Sequence, residues 1–164
     1  GRETAMTGYV RATVAGGDGD RIAAMAADVC GHADAGATAL REAKYAWAGQ
    51  LRASGDRDQA LKLYKELASD VKTREGSEAA YYVIEALFES GDLDKTESEV
   101  FAFSDREPNA YWLAKAFLLL GDVYVRKGDT FQARATYQSV ADGYSPADDG
   151  IVDEAKERIA KLKN

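Results

Sequence analysis

Cys30 and His32 stand two residues apart, and they are the one cysteine and the one histidine of a 164-residue chain. A Cys–His pair could supply a nucleophile with its base, or half of a zinc site. The spacing argues against both, because side chains two apart on a helix point in different directions. No other Cys or His exists to complete a tetrahedral metal site. The expectation is a buried Cys30 and a surface His32 near a helix terminus. Gly16-Gly17-Asp18-Gly19-Asp20 has the look of a phosphate or calcium loop. It lacks the Lys-Ser/Thr that ends a P-loop and the Glu that closes an EF-hand, so it reads as a turn. Asp148-Asp149 reads as the N-cap of a last helix. The remaining carboxylates fall on faces predicted to be solvated, and no acid–base pair stands out. The expectation is a non-enzymatic protein with no catalytic residue, no cofactor and no metal.

Residues suited to binding are easier to find. Tyr9, Tyr45 and Tyr81 are spaced by 36 residues, Leu118 follows 37 later, and Tyr82 adjoins the third. Tyr combines a large rigid ring with a hydroxyl at low entropic cost, a good basis for a contact surface. Glu42, Glu78, Glu85 and Asp122 fall beside this series, with Arg52, Lys115 and Arg126 in the minority. Two readings stay open: the tyrosines bind a partner, or they pack between neighbouring elements and serve only the core.

The elements that position this series follow from a second spacing. Gly19-Asp20, Gly55-Asp56, Gly91-Asp92 and Gly128-Asp129 recur at intervals of 36, 36 and 37 residues. A fixed period in this range is the mark of a stacked helical-repeat array. Around each pair the apolar residues keep helical spacing, as in Leu113, Phe117, Leu120 and Tyr124 before Gly128. Gly can end one helix in the left-handed conformation, and the Asp can cap the next. Asp56 with Gln59 and Asp129 with Gln132 have the spacing of capping boxes. The pattern predicts helices over 4–15, 21–30, 38–53, 57–70, 77–90, 93–103, 109–126, 130–143 and 150–162. The hairpins span about 4–32, 38–72, 76–107 and 109–146, followed by a capping helix over 150–163. Aligned on the pairs, Ala43, Ala79 and Ala116 fall in register in the first helices, and Ala24, Ala60, Thr96 and Ala133 in the second. Asp28 then falls where Tyr64, Val100 and Tyr137 stand. The expected organisation is a single domain over 1–164. Its start at Gly rather than Met suggests a fragment of a longer chain.

Composition narrows the classes. The net charge of -7 and the lack of a basic stripe argue against nucleic acid, whose phosphates require clustered Lys and Arg. The most apolar run, 116–121, is far short of the roughly 20 residues that span a bilayer. The last segment carries Ile151, Val152, Ala155, Ile159 and Leu162 on one side and charged residues on the other. A polar-backed terminal helix is what a solenoid needs for solubility.

Phe117-x2-Leu120-Gly121-x2-Tyr124 followed by Ala133, Tyr137 and Pro146 resembles a tetratricopeptide repeat. Pro108 closes the repeat around Gly91, and Ala60, Tyr64 and Leu67 mark the one around Gly55. The resemblance implies an all-α, right-handed superhelical solenoid of antiparallel helix pairs, about four hairpins plus the cap. It also implies that first helices line a concave groove. The candidate partner-binding residues are Tyr9, Tyr45, Tyr81, Tyr82, Glu85, Phe88, Leu118 and Asp122, which would hold an aromatic or aliphatic segment carrying some positive charge. Repeat proteins of this family that hold chaperone C-terminal carboxylates use Lys, Asn and Arg in the groove. Here Tyr45, Gly49, Tyr81 and Glu85 stand at the matching sites, so that binding mode is not expected. Residues 78–92 and 111–122 resemble repeat scaffolds of bacterial cell envelopes, and the second stretch, with 129–135 read on from it, resembles the C-terminal end of large Bacteroides-type repeat proteins. That likeness implies a protein–protein scaffold in a periplasmic or envelope setting, with the cytoplasm as the alternative. Two other functions stay open: an accessory region of a larger enzyme, and a self-association module that forms a homo-oligomer.

Overall fold

The computed structural model describes residues 1–163. Among the described residues there are nine helices and no strand: α1 Arg2–Gly16, α2 Gly19–Cys30, α3 Ala37–Ala53, α4 Arg57–Leu67, α5 Arg74–Glu89, α6 Leu93–Asp105, α7 Ala110–Arg126, α8 Thr130–Gly143 and α9 Ile151–Ala160. The all-α expectation holds, and each predicted helix is present with ends moved by a few residues. The chain forms two compact units, Gly1–Ser69 with α1 to α4 and Asp70–Asn164 with α5 to α9. In the first unit α1 packs on α2 and α3, and α3 packs on α2 and α4. In the second, α5, α7 and α9 pack side by side, with α6 against α5 and α7, and α8 against α7 and α9.

The hairpin turns form as the chemistry requires. Gly55, Gly91 and Gly128 take φ values of 90°, 86° and 78°, a region closed to most L-residues. The next residue then caps the following helix: Asp56, Asp92 and Asp129 accept from the backbone N–H of Gln59, Lys95 and Gln132 at 3.3, 3.2 and 3.0 Å. Such caps stabilise a helix by roughly 0.5–2 kcal/mol.

The first turn corrects the sequence alignment. The left-handed glycine is Gly17, at φ 72°, and the capping carboxylate is Asp18, which accepts from Arg21 N at 3.1 Å. Gly19 and Asp20 are already inside α2. Two Gly-Asp pairs lie in tandem here, and the upstream one makes the turn. Ala24 and Asp28, aligned on Gly19, are both exposed.

Realigned on Gly17, the four hairpins agree at four core positions. Val10, Ala48, Ile84 and Gly121, seven residues before each turn glycine, are all buried. Ile22, Ala60, Thr96 and Ala133 are buried five residues after it. Ala26, Tyr64, Val100 and Tyr137 follow at nine, and Val29, Leu67, Phe103 and Val140 at twelve. Spacings of about one turn place these three sets on one stripe of each second helix. Burying a Val, Leu or Phe there contributes about 1.5–3 kcal/mol each. Asp28 stands at no aromatic site; Ala26 holds that place.

Candidate functional site

Two helix starts set the geometry of the second unit. Thr73 Oγ1 accepts from Gly76 N at 3.0 Å to begin α5. The Asn109 side chain accepts from Tyr111 N and Trp112 N, at 3.0 and 3.3 Å, to begin α7. Ser77, fully buried, joins them: its hydroxyl donates to Val71 O at 2.6 Å and accepts from Asn109 N at 2.9 Å. This fixes the first turns of α5 and α7 against each other and brings their aromatic residues together.

The result is a four-ring cluster. Trp112 lies 5.0 Å from Tyr111, 5.5 Å from Tyr81 and 5.9 Å from Tyr82, with Tyr81 and Tyr82 5.9 Å apart. Three of these pairs are edge-to-face and Tyr81–Trp112 is tilted; edge-to-face rings at such distances add about 0.5–1.5 kcal/mol per pair beyond burial. Lys115 Nζ sits 6.0 Å over the Tyr81 ring, at the outer limit of a cation–π contact. Burial, and then the charge of Glu85, push the Tyr81 phenol well above its ordinary value, so it stays protonated. Tyr82, Tyr111 and Trp112 keep part of their surface open to solvent.

Further along α7 the face becomes polar. Arg126 lies 4.6 Å over the Phe88 ring. Asp122 accepts from the Tyr137 hydroxyl at 2.5 Å and meets Arg158 at 3.7 Å. Burial raises the Asp122 carboxyl pKa, against the opposing pull of the Tyr137 hydrogen bond and the Arg158 charge. Arg158 also reaches Glu154 at 3.7 Å, and Glu154 meets Lys115 at 3.6 Å. Lys115, Glu154, Arg158 and Asp122 thus run as a chain of opposite charges between α7 and α9. Half-exposed pairs of this kind stabilise by about 0–1 kcal/mol each, so their main effect is to orient α9.

The sequence candidates separate on this geometry. Tyr81, Tyr82, Glu85, Phe88 and Asp122 belong to the α5–α7 face just described. Tyr81 is only 8% exposed and Leu118 1%, so both act as packing behind the surface. In the first unit Tyr45 is half-buried on α3. Tyr9 is 43% exposed and lines a cleft of about 440 Å³ between α1 and α2. The shifted first turn explains that placement: Tyr45 and Tyr81 lie ten residues before their turn glycines, Tyr9 only eight before Gly17. Two residues rotate a helical side chain about 200°, which takes Tyr9 off the series. Trp112, Tyr111, Glu154 and Arg158 were not legible as site residues, because the contacts that bring them in cross between helices at spacings unrelated to the period.

The sequence's other candidates resolve locally. His32 Nε2 lies 3.4 Å from Asp28. Cys30 is partly buried, which raises its thiol pKa. Among the described residues no group of His, Cys, Asp and Glu is arranged to hold a metal ion, and no helix is long and apolar enough to cross a membrane.

No curated protein matches the chain, and no solved structure does. Residues 115–145, the second part of α7 and all of α8, match the family model described as tetratricopeptide repeat. That match covers the hairpin in which Gly121 meets Tyr137, and with the helix pairs of both units it supports a protein of tetratricopeptide type.

Proposed function

We propose that this protein is a scaffold that holds a segment of a partner protein on the α5–α7 face of its second unit. The observation that carries the reading is the aromatic cluster itself: Tyr82, Trp112 and Tyr111 pack on one another and remain partly exposed. Large half-exposed rings on a fixed backbone are the commonest anchors of protein interfaces. Glu85, Phe88 and Asp122 continue the face and favour a segment that is apolar with some positive charge. Tyr81 and Leu118 support that surface from beneath, and Tyr45 and Tyr9 are candidates for separate contacts on the first unit.

The tetratricopeptide match supports interaction rather than catalysis as the general role. A cell-envelope assembly role rests on the resemblance of residues 78–92 and 111–122 to envelope scaffolds, and fractionation of the source cells tests it. For the binding face, the test is affinity capture with the wild type and with Tyr82→Ala/Trp112→Ala, checked for retained helicity. A partner captured by the wild type and lost by the folded variant supports the reading. Equal capture by both moves the binding surface elsewhere.

A further inference from the structure

The net charge is not shared between the two units. Residues 1–69 carry 9 Lys and Arg against 9 Asp and Glu, which is neutral. Residues 70–164 carry 12 against 19, so the whole net charge of -7 lies in the second unit. A field of that sign attracts basic partners and speeds their encounter.

This unit also has an apolar cleft between α7 and α8. Among the described residues the backbones of α6 and α8 do not come into contact, which leaves one flank of α7 uncovered between them. A cleft of about 320 Å³ opens there, with Leu113, Ala114 and Phe117 on the α7 side and Val140, Gly143 and Tyr144 on the α8 side. Phe101 of α6 extends it: the ring is 47% exposed and meets Phe117 edge-on at 6.4 Å. The residues adjoining this lining are acidic: Asp142 is exposed and precedes Gly143, Asp149 accepts from the Tyr144 hydroxyl, and Asp105 lies one turn beyond Phe101.

We propose that this cleft is a second docking site, distinct from the α5–α7 face, for a partner segment with a large apolar side chain flanked by Lys or Arg. The apolar side chain enters between Phe117 and Val140 against Phe101, and the flanking cations meet Asp142 and Asp105. The charge of the second unit and the acidic rim select a basic occupant over an acidic or neutral one. Apolar burial supplies the affinity, and the rim supplies the preference.

The probe is a fluorescein-labelled peptide, Lys-Lys-Leu-Phe-Lys-Lys, with Glu-Glu-Leu-Phe-Glu-Glu as its charge-reversed control, read by anisotropy at low salt. An added Cβ on Gly143 meets nothing within 4 Å, so Gly143→Leu fills the cleft without disturbing the packed core. The expected result is saturable binding of the basic peptide only, with amide shifts confined to residues 113–117 and 139–144. Gly143→Leu and Asp142→Lys should each weaken it about fivefold or more, the scale of one lost anchor or rim charge. Tyr82→Ala/Trp112→Ala should leave it unchanged, which separates this site from the face proposed above. The proposal is overturned by absence of saturable binding, by equal binding of the acidic peptide, or by full affinity in folded Gly143→Leu. It is also overturned if the protein is a dimer that Gly143→Leu dissociates, since the occupant would then be a second copy.

Discussion

Adding one methyl group at Gly121 should unsettle the second unit more than its size suggests. An ideal Cβ there would stand 2.1 Å from Tyr137 Cε1, 2.5 Å from Cδ1 and 2.7 Å from Cζ. Carbon atoms in contact rest about 3.5–4.0 Å apart, so the ring must shift by more than about 1 Å. Tyr137 is 2% exposed, and its hydroxyl is held by Asp122 at 2.5 Å. Overpacking of this kind costs about 1–3 kcal/mol. Losing a hydrogen bond to a charged group adds about 1.5–3 kcal/mol, and the better helix propensity of Ala returns about 1 kcal/mol. The expected net loss for Gly121→Ala is about 1.5–5 kcal/mol. Urea unfolding followed by Trp112 fluorescence in a Trp47→Phe background reads the second unit, with far-ultraviolet circular dichroism beside it. In a Tyr137→Leu background the obstructing ring is gone, and Gly121→Ala should become neutral or stabilising, a strong coupling in a double-mutant cycle. A cost below about 0.5 kcal/mol in the parent, or an equal cost in both backgrounds, would refute the reasoning.

Three further outcomes follow from the geometry. Gly17→Ala forces a side chain into the left-handed region and should destabilise the first unit by about 1–2 kcal/mol. Gly19→Ala, which meets only the mobile end of Gln50, should be near neutral, and thermal melts that reversed this order would restore the Gly19 turn. Ser77→Ala leaves the buried Val71 carbonyl without its donor and removes the acceptor of the part-buried Asn109 N–H, at about 1–3 kcal/mol, and should speed hydrogen exchange at the start of α7; unchanged exchange would contradict the tie between α5 and α7. Burial raises the Asp122 pKa in the folded protein, so the folded state holds that proton at higher pH than the unfolded chain. Its contribution therefore falls as pH rises from the ordinary carboxylate range through the raised value. Stability of the wild type relative to Asp122→Asn should decline across that mildly acidic window, and a rise there would invert the assignment.

The amino-acid sequence by itself determined the helices and the hairpins. Turn glycines, capping aspartates and apolar spacing of three and four are local signals, readable within one or two turns of chain. They misled at one place, where Gly17-Asp18 and Gly19-Asp20 offer the same chemistry two residues apart. Nothing within the loop separates them; only the packing of Ile22, Ala26 and Val29 against α1 and α3 chooses the first. The tyrosine series was visible as a spacing, but its exposure was not. Tyr81 is buried and Tyr82 half open because Trp112 and Lys115 arrive from α7 and cover one ring more than the other. The links from α9 to Asp122 and the cleft beside Phe101 were likewise absent from any period. Such features depend on the distance and rotation between packed helices, and side chains from several elements set those together, so only the tertiary structure decides them.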